Sequence, residues 1–323
     1  MYVSTHKVST SKSELHLTMA SECDVSERIV TQFLLNTCGL CPRVSKHDVQ
    51  AALVCGWTTT ELRLYPEKNI DKETETIPLI TGSVAEFYIE PMLPLAGDID
   101  VMYYWNFRLA IPRGHPPPTQ LPSEFNNYVR VHEIIDSELR GYVYLELHYL
   151  LTQCTDDGKY NCVEYDELGH MLSNDWDTGR HGPAVVISQK SGSSLLDVDQ
   201  VRCERCLVWP LQAADWPARH RNYGWPDSAT LDRVVSNGCD VVGVAHRHCR
   251  HNGWTREYHW RLSFSRAEIV LINSWMPVQQ IVYHMLRYFM KTKQLTDCAD
   301  DSGASTLSNY HIKTLMLWAC ELK

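Results

Sequence analysis

Asp98-Ile99-Asp100-Val101-Met102-Tyr103-Tyr104-Trp105 is the stretch on which the fold turns. β-Branched and aromatic residues dominate it, as they do in strands that fit a packed sheet, and the strand reading extends over residues 98–109. Successive strand side chains point to opposite faces, so Asp98 and Asp100 leave on one face while Ile99 and Val101 enter the protein. One short strand can thus build most of a metal site. Taken alone, an Asp-x-Asp pair on a strand also fits a solvent-facing charged edge.

Upstream, residues 77–80 lead in extended form to Thr81-Gly82-Ser83, and the turn falls at Gly82. Ser83-Val84-Ala85-Glu86 has the spacing of a capping box, in which the Ser83 hydroxyl takes a backbone N–H and Glu86 reaches back. A helix N-terminus there offers unpaired N–H groups and a positive dipole end to a polyphosphate. An ordinary strand-to-helix turn is the plainer reading of the same four residues. Downstream, residues 183–187 and 195–201 read as two strands joined by a hairpin turn at 191–194, and the second carries Asp199. Asp197 shares its parity and stands in reserve.

Three aspartates converging from neighbouring strands offer the hard oxygen ligands that magnesium prefers, with manganese as a substitute. Two such ions roughly 3.5–4 Å apart can stabilise both the attacking oxygen and a leaving pyrophosphate. The expected metal ligands and catalytic residues are therefore Asp98, Asp100 and Asp199, with Thr81, Gly82 and Ser83 against the phosphates. Asp98 and Asp100 hold both ions, and Asp199 binds the one that activates the acceptor hydroxyl. Without metal, such clustered carboxylates repel one another and at least one pKa rises.

Elsewhere, residues 26–38 carry helical apolar spacing through Ile29, Val30, Phe33 and Leu34, and a second helix is predicted over 46–55. A proline-rich turn occupies 112–122, a strand 142–150 and a polar loop 152–158. Trp209-Pro210, Trp216-Pro217 and Trp225-Pro226 mark helix starts and aromatic anchors. Helices follow at 228–236, 265–274, 277–293 and 308–322. The expected organisation is a polar tail over 1–20, a core over 21–212 and a helical lobe over 213–323.

The chain has 323 residues, 44% of them hydrophobic, which is enough for a sizeable core. The first residues are polar, with no apolar segment behind a basic start, and no apolar run is long enough to cross a bilayer. A cytoplasmic protein without membrane contact is expected. Twelve cysteines dispersed through such a chain read as reduced, buried thiols. The pairs Cys38/Cys41 and Cys203/Cys206 keep a zinc site open as the alternative. A formal net charge of −9 excludes a uniformly basic nucleic-acid surface. It leaves room for local patches at Arg202, Arg205, Arg219 and Arg221 or around His246, His248, Cys249 and His251, each equally readable as a solvated loop.

With these segments in view, the chain resembles cyclic GMP–AMP synthase and the cGAS-like receptors, within the broader male-abnormal-twenty-one family of nucleotidyltransferases. The resemblance runs from about residue 80 onward. Its carriers are Thr81-Gly82-Ser83, Gly97-Asp98-Ile99-Asp100-Val101-Met102, Gly182-Pro183-Ala184-Val185, Val198-Asp199, Trp209-Pro210, Ser308-Asn309-Tyr310-His311-Ile312-Lys313-Thr314 and, most specific, Trp260-Arg261-Leu262-Ser263-Phe264-Ser265. It implies an α+β, bilobed nucleotidyltransferase fold: a mixed β-sheet core with an N-terminal spine helix, plus a helical C-terminal lobe. It further implies a ligand-activated enzyme that joins two nucleoside triphosphates into a cyclic dinucleotide second messenger in innate immune sensing. The activating ligand would be double-stranded RNA or DNA, and a downstream cyclic dinucleotide receptor would read the product.

By position, the resemblance makes Arg261 and Tyr310 the base-contacting pair and Arg287 the cationic phosphate contact. His284, Arg287 and Lys291 also share one helix face that can line a phosphate cleft or form a solvated stripe. Residues 269–283 run on without the zinc-binding insertion of the vertebrate enzyme, and the chain stops soon after Trp318-Ala319-Cys320, where relatives continue with further helices. Two other readings use the same fold or chemistry: a non-catalytic interaction module, and a template-independent polymerase.

Overall fold

The computed structural model describes residues 76–86, 98–165, 169–174, 184–191, 194–249, 253–293 and 307–322, with seven isolated positions between 25 and 36. Those seven are helical, where a helix over 26–38 is predicted. The expected tail, the helix over 46–55, Cys38/Cys41 and His251 lie outside the described residues, as do the side chains of Ser83, Asp98 and Asp197.

Among the described residues, ten strands form one mixed sheet. In chain order they are β1 (Thr76–Thr81), β2 (Asp98–Trp105), β3 (Arg108–Pro112), β4 (Tyr128–Asp136), β5 (Tyr142–Gln153), β6 (Tyr160–Glu164), β7 (Ala184–Ser191), β8 (Ser194–Cys206), β9 (Cys239–Gly243) and β10 (Trp260–Ser263). The helices are α1 (Gly82–Ala85), α2 (Ser228–Ser236), α3 (Gly253–Tyr258), α4 (Ser265–Asn273), α5 (Pro277–Thr292) and α6 (Asn309–Leu322). The fold is α+β, as the sequence predicts.

β8 organises the sheet. Its first half lies between β2, which it meets in parallel, and β7, with which it makes the predicted antiparallel hairpin. Its end meets β3 and β9. The single strand predicted over 98–109 is in fact two, broken by a turn at 106–107. The register gives the reason. Tyr103 pairs with Arg202 and Ala110 with Cys206, so seven steps on one strand face four on the other, and the surplus must leave the ladder. Beyond residue 213, where the sequence predicts a helical lobe, β9 and β10 return to the sheet and pair with each other, with β8 and with β5.

Alternation along the strands fills two core clusters. Leu109, Ile111, Val131, Leu151 and Cys203 belong to one; Ala110, Ile134, Leu145, Cys206, Val241 and Trp260 belong to the other. Each large aliphatic or aromatic side chain so buried contributes roughly 1.5–3 kcal/mol. Cys203 and Cys206 therefore sit in separate clusters, buried and free, and cannot share one metal ion. α5 and α6 pack through Tyr283, Met290, Ile312, Met316 and Cys320 together with Ile272 and Trp275. The half-buried Trp209, Trp216 and Trp225 anchor the loop before α2 against Val234, Ala267 and Leu271.

Two local expectations change. Arg202 and Arg205 are not part of a basic surface. Arg202 pairs with the fully buried Glu204 at 3.1 Å, and Arg205 donates to the carbonyls of Cys206 and Cys239 beside the buried Asp240. Arg221 is likewise tied to Glu321 at 3.2 Å. Buried charge needs a partner, and here Arg202 finds one on its own strand, Arg205 on the neighbouring β9 and Arg221 on α6.

Candidate active site

The site is assembled by strand register. Thr81 of β1 lies opposite Asp100 of β2, Asp100 opposite Asp199 of β8, and Asp199 opposite Val186 of β7. Partners in register share a face, and neighbouring strands lie about 4.8 Å apart, so the two aspartates stand side by side. The opposite face is core: Ile99 and Val198 are both fully buried. One dyad back along the strands, the backbone of Asp98 lies opposite that of Asp197.

Gly82 follows directly, in the left-handed region with φ +59°. A Cβ built there would lie 1.9 Å from Asp100 Oδ2 and 2.8 Å from its Cγ. Glycine is thus required twice, by the backbone turn and by the carboxylate packed on its Cα. Thr81 is buried, and its hydroxyl donates to the Asp100 carbonyl at 3.4 Å.

Asp100 is held above the usual carboxylate range, first by burial and next by the charge of Asp199, against the opposing pull of Lys313 and Arg287. A buried carboxylate beside a second one has room for more positive charge. Their hard oxygens suit magnesium or manganese, so the donor set fits a divalent ion at Asp100 and Asp199. Among the described residues, no group of three or more His, Cys, Asp or Glu forms a ready metal cage.

A cavity of about 530 Å³ opens at this row, and Thr81, Gly82, Asp100, Arg261 and Tyr310 all line it. Arg261 reaches it because β10 alternates: Trp260 and Leu262 are buried while Arg261 is exposed between them. Tyr310 stands at the start of α6, 62% exposed, a ring open to stacking. Arg287 does not line the cavity. It is buried on α5 with its guanidinium 5.5 Å from the Tyr283 ring, close enough to act on Asp100 through its charge. His284 is buried and Lys291 exposed, so the three do not form the predicted cleft-lining stripe.

Glu86 departs from the capping-box expectation. It follows the single turn of α1, and its carboxylate accepts from Lys313 Nζ at 2.8 Å and from the Tyr283 hydroxyl at 3.4 Å. Lys313 also donates to Glu268 at 2.7 Å. Burial alone would lower the Lys313 pKa, but Glu86 and Glu268 reverse that and carry it upward, so it stays charged at the cavity wall. Tyr283 is pushed up to about 12 by burial and by Glu86. Lys313, Glu86 and Glu268 had no site role in the sequence reading. The signal available was the three-residue step from Tyr310 to Lys313, which places both near one face of α6.

Around the second candidate cluster, His246 meets Tyr142 edge-on at 5.0 Å and His248 at 4.8 Å, a ring contact rather than a ligand set. α4 and α5 are joined directly through residues 274–276.

A mixed sheet whose parallel pair sets Asp100 beside Asp199, with Asp100 lining the cavity and helices packed beside it, is the α+β arrangement expected of a nucleotidyltransferase-type domain. Residues 131–274 match the family model described as the Mab-21 protein nucleotidyltransferase domain, a span that includes Asp199 and Arg261. The chain is 26% identical over 142 residues to Protein mab-21-like 3 of Danio rerio, covering 43% of this chain and 32% of that protein. It is 30% identical over 118 residues to Protein mab-21-like of Drosophila melanogaster, covering 35% and 29%. It is also 30% identical over 115 residues to Protein mab-21-like of Aedes aegypti, again covering 35% and 29%. Over residues 131–274 the chain is thus similar to nucleotidyltransferase domains of the Mab-21 type. It spans about a third of the length of the curated relatives it matches.

Proposed function

We propose that this protein is a ligand-activated nucleotidyltransferase that makes a cyclic dinucleotide from two nucleoside triphosphates and acts in cytoplasmic innate immune signalling. The observation that carries the reading is the row Thr81–Asp100–Asp199, opening on a cavity of nucleotide size with a glycine pressed against the carboxylate. Divalent ions held by Asp100, Asp199 and Asp98 would neutralise the triphosphate and activate the acceptor hydroxyl.

The chain's own groups have distinct tasks. Gly82 and Ser83 bring backbone and hydroxyl donors to the phosphates, and Lys313 adds a fixed cation at the same wall. Tyr310 stacks on a base while Arg261 contacts its edge. Asp199 takes the acceptor hydroxyl proton as that oxygen bonds to the α-phosphorus and the bond to pyrophosphate breaks. A second transfer in the opposite sense closes the ring and releases a second pyrophosphate. An activating double-stranded RNA or DNA would shift the population towards the competent state, and a downstream receptor would bind the product.

Incubation with labelled ribonucleoside triphosphates, magnesium and a panel of double-stranded RNA and DNA tests this. A phosphatase-resistant small product is expected, and Asp100→Asn should abolish it while the melting curve stays cooperative. Extended RNA would indicate a polymerase instead. No product under any ligand would leave a non-catalytic interaction module.

A further inference from the structure

α1 is a single turn, and one turn fixes several backbone dihedrals for very few hydrogen bonds. Its geometry must therefore be set from outside. The turn closes where the Glu86 N–H donates to the Gly82 carbonyl at 3.1 Å. That N–H belongs to the peptide group whose other end is the Ala85 carbonyl, and this carbonyl accepts from Asn273 Nδ2 at 3.0 Å. Hydrogen bonding thus runs from Asn273 through one peptide plane to Gly82, the residue pressed against the Asp100 carboxylate. Each bond in such a chain polarises the next.

Asn273 ends α4, a nine-residue helix about 13 Å long whose first turn lies at the cavity, where Ser265 and Glu268 form part of the wall. One rigid element therefore joins that wall to the turn at Gly82. Lys313 and Tyr283 reach the same segment from α6 and α5, but they end on the buried Glu86 side chain and so hold the fold together. Asn273 differs. It is exposed and 188 residues from Ala85, and its loss leaves a carbonyl that water can reach rather than a buried orphan. Its bond adds little to folding but fixes the direction of one peptide.

We propose that Asn273 is a positioning residue for the triphosphate: through the Ala85–Glu86 peptide it sets Gly82 and Ser83 against the phosphates, while α4 keeps them in register with the rest of the cavity wall. This role rests on the reading of the cavity as a nucleoside triphosphate site.

Asn273→Ala tests it, because alanine at the end of α4 keeps the helix and removes the donor. Hydrogen–deuterium exchange of the Glu86 amide should speed up severalfold, while the melting temperature falls by no more than about 3 °C. In titrations with magnesium and α,β-methylene ATP or GTP, the variant should bind about fivefold more weakly, the worth of one ordinary hydrogen bond. Affinity for free adenosine and guanosine should stay as in the parent. Failure of the parent to bind either analogue strikes down the triphosphate reading and this role together. Parent binding with an unaltered variant overturns the role alone. So does an equal loss for the nucleosides, a larger fall in melting temperature, or an unchanged exchange rate at Glu86.

Discussion

Gly82 carries the sharpest expectation at the scale of single residues. Alanine there must hold φ +59° and place a methyl inside the Asp100 carboxylate. The variant should lose about 1–2 kcal/mol of stability in urea. Turnover should drop by about 100-fold, the usual effect of displacing a reacting group by an ångström. His132 supplies a pH dependence. Burial, aided by the charge of Arg108, lowers its pKa to about 3 in the folded protein. The unfolded chain therefore takes up a proton near pH 6.5 that the folded one refuses, and stability falls as pH drops from there towards 3. Urea midpoints between pH 7 and pH 4 should decline accordingly, and His132→Gln should flatten the decline. Register between strands put Thr81 and Asp199 beside Asp100, whereas the inward turn of Ile99 was legible from the sequence because strand parity is a local property. The destination of Glu86 was not. Its local spacing fits a cap, but a buried lysine from the far end of the chain offers a stronger partner than a backbone N–H.

At the scale of elements, α6 is fastened to α1 and α4 through Lys313, Glu86 and Glu268. Lys313→Met would leave the 2%-exposed Glu86 without its cation, at a cost of about 3–5 kcal/mol. Adding Glu86→Gln should restore much of the loss, and chemical denaturation of the single and double variants measures the coupling. Helix legibility followed length. The helices over 228–236, 265–273, 277–292 and 309–322 repeat their apolar spacing over several turns and were readable within a residue or so. β4, β6, β9 and β10 were not. Four residues, Trp260-Arg261-Leu262-Ser263, carry too little alternation to declare a strand, and their conformation comes from pairing with β5 and β9 on either side. The break between β2 and β3 was equally invisible, since it arises from the shorter path of β8.

The whole molecule offers a test that needs no product. Ligands that bind only the folded state stabilise it by about 2.7 kcal/mol at a hundred times their dissociation constant. Magnesium with a nucleoside triphosphate should therefore raise the melting temperature of the parent, while Asp100→Asn should remove the metal-dependent part. The same assembly explains why Arg202 and Arg205 make neither a basic patch nor a solvated loop. Counting charges along a chain cannot show that Glu204 and Asp240, both fully buried, absorb those arginines inside the sheet.

By itself the sequence determined the strands that bear the aspartates, the face those residues share, the long helices and the nucleotidyltransferase character of the domain. The strands and helices follow from periodicities and turn chemistry that act over a few residues, and the nucleotidyltransferase character from the family resemblance that the motifs carry. Only the tertiary structure decided which cations meet the carboxylates, that Arg287 turns inward while Lys313 reaches the cavity, and that Asn273 meets the turn at Ala85. Those outcomes depend on register and packing between segments up to 227 residues apart, as Glu86 and Lys313 are, and no local pattern encodes that distance.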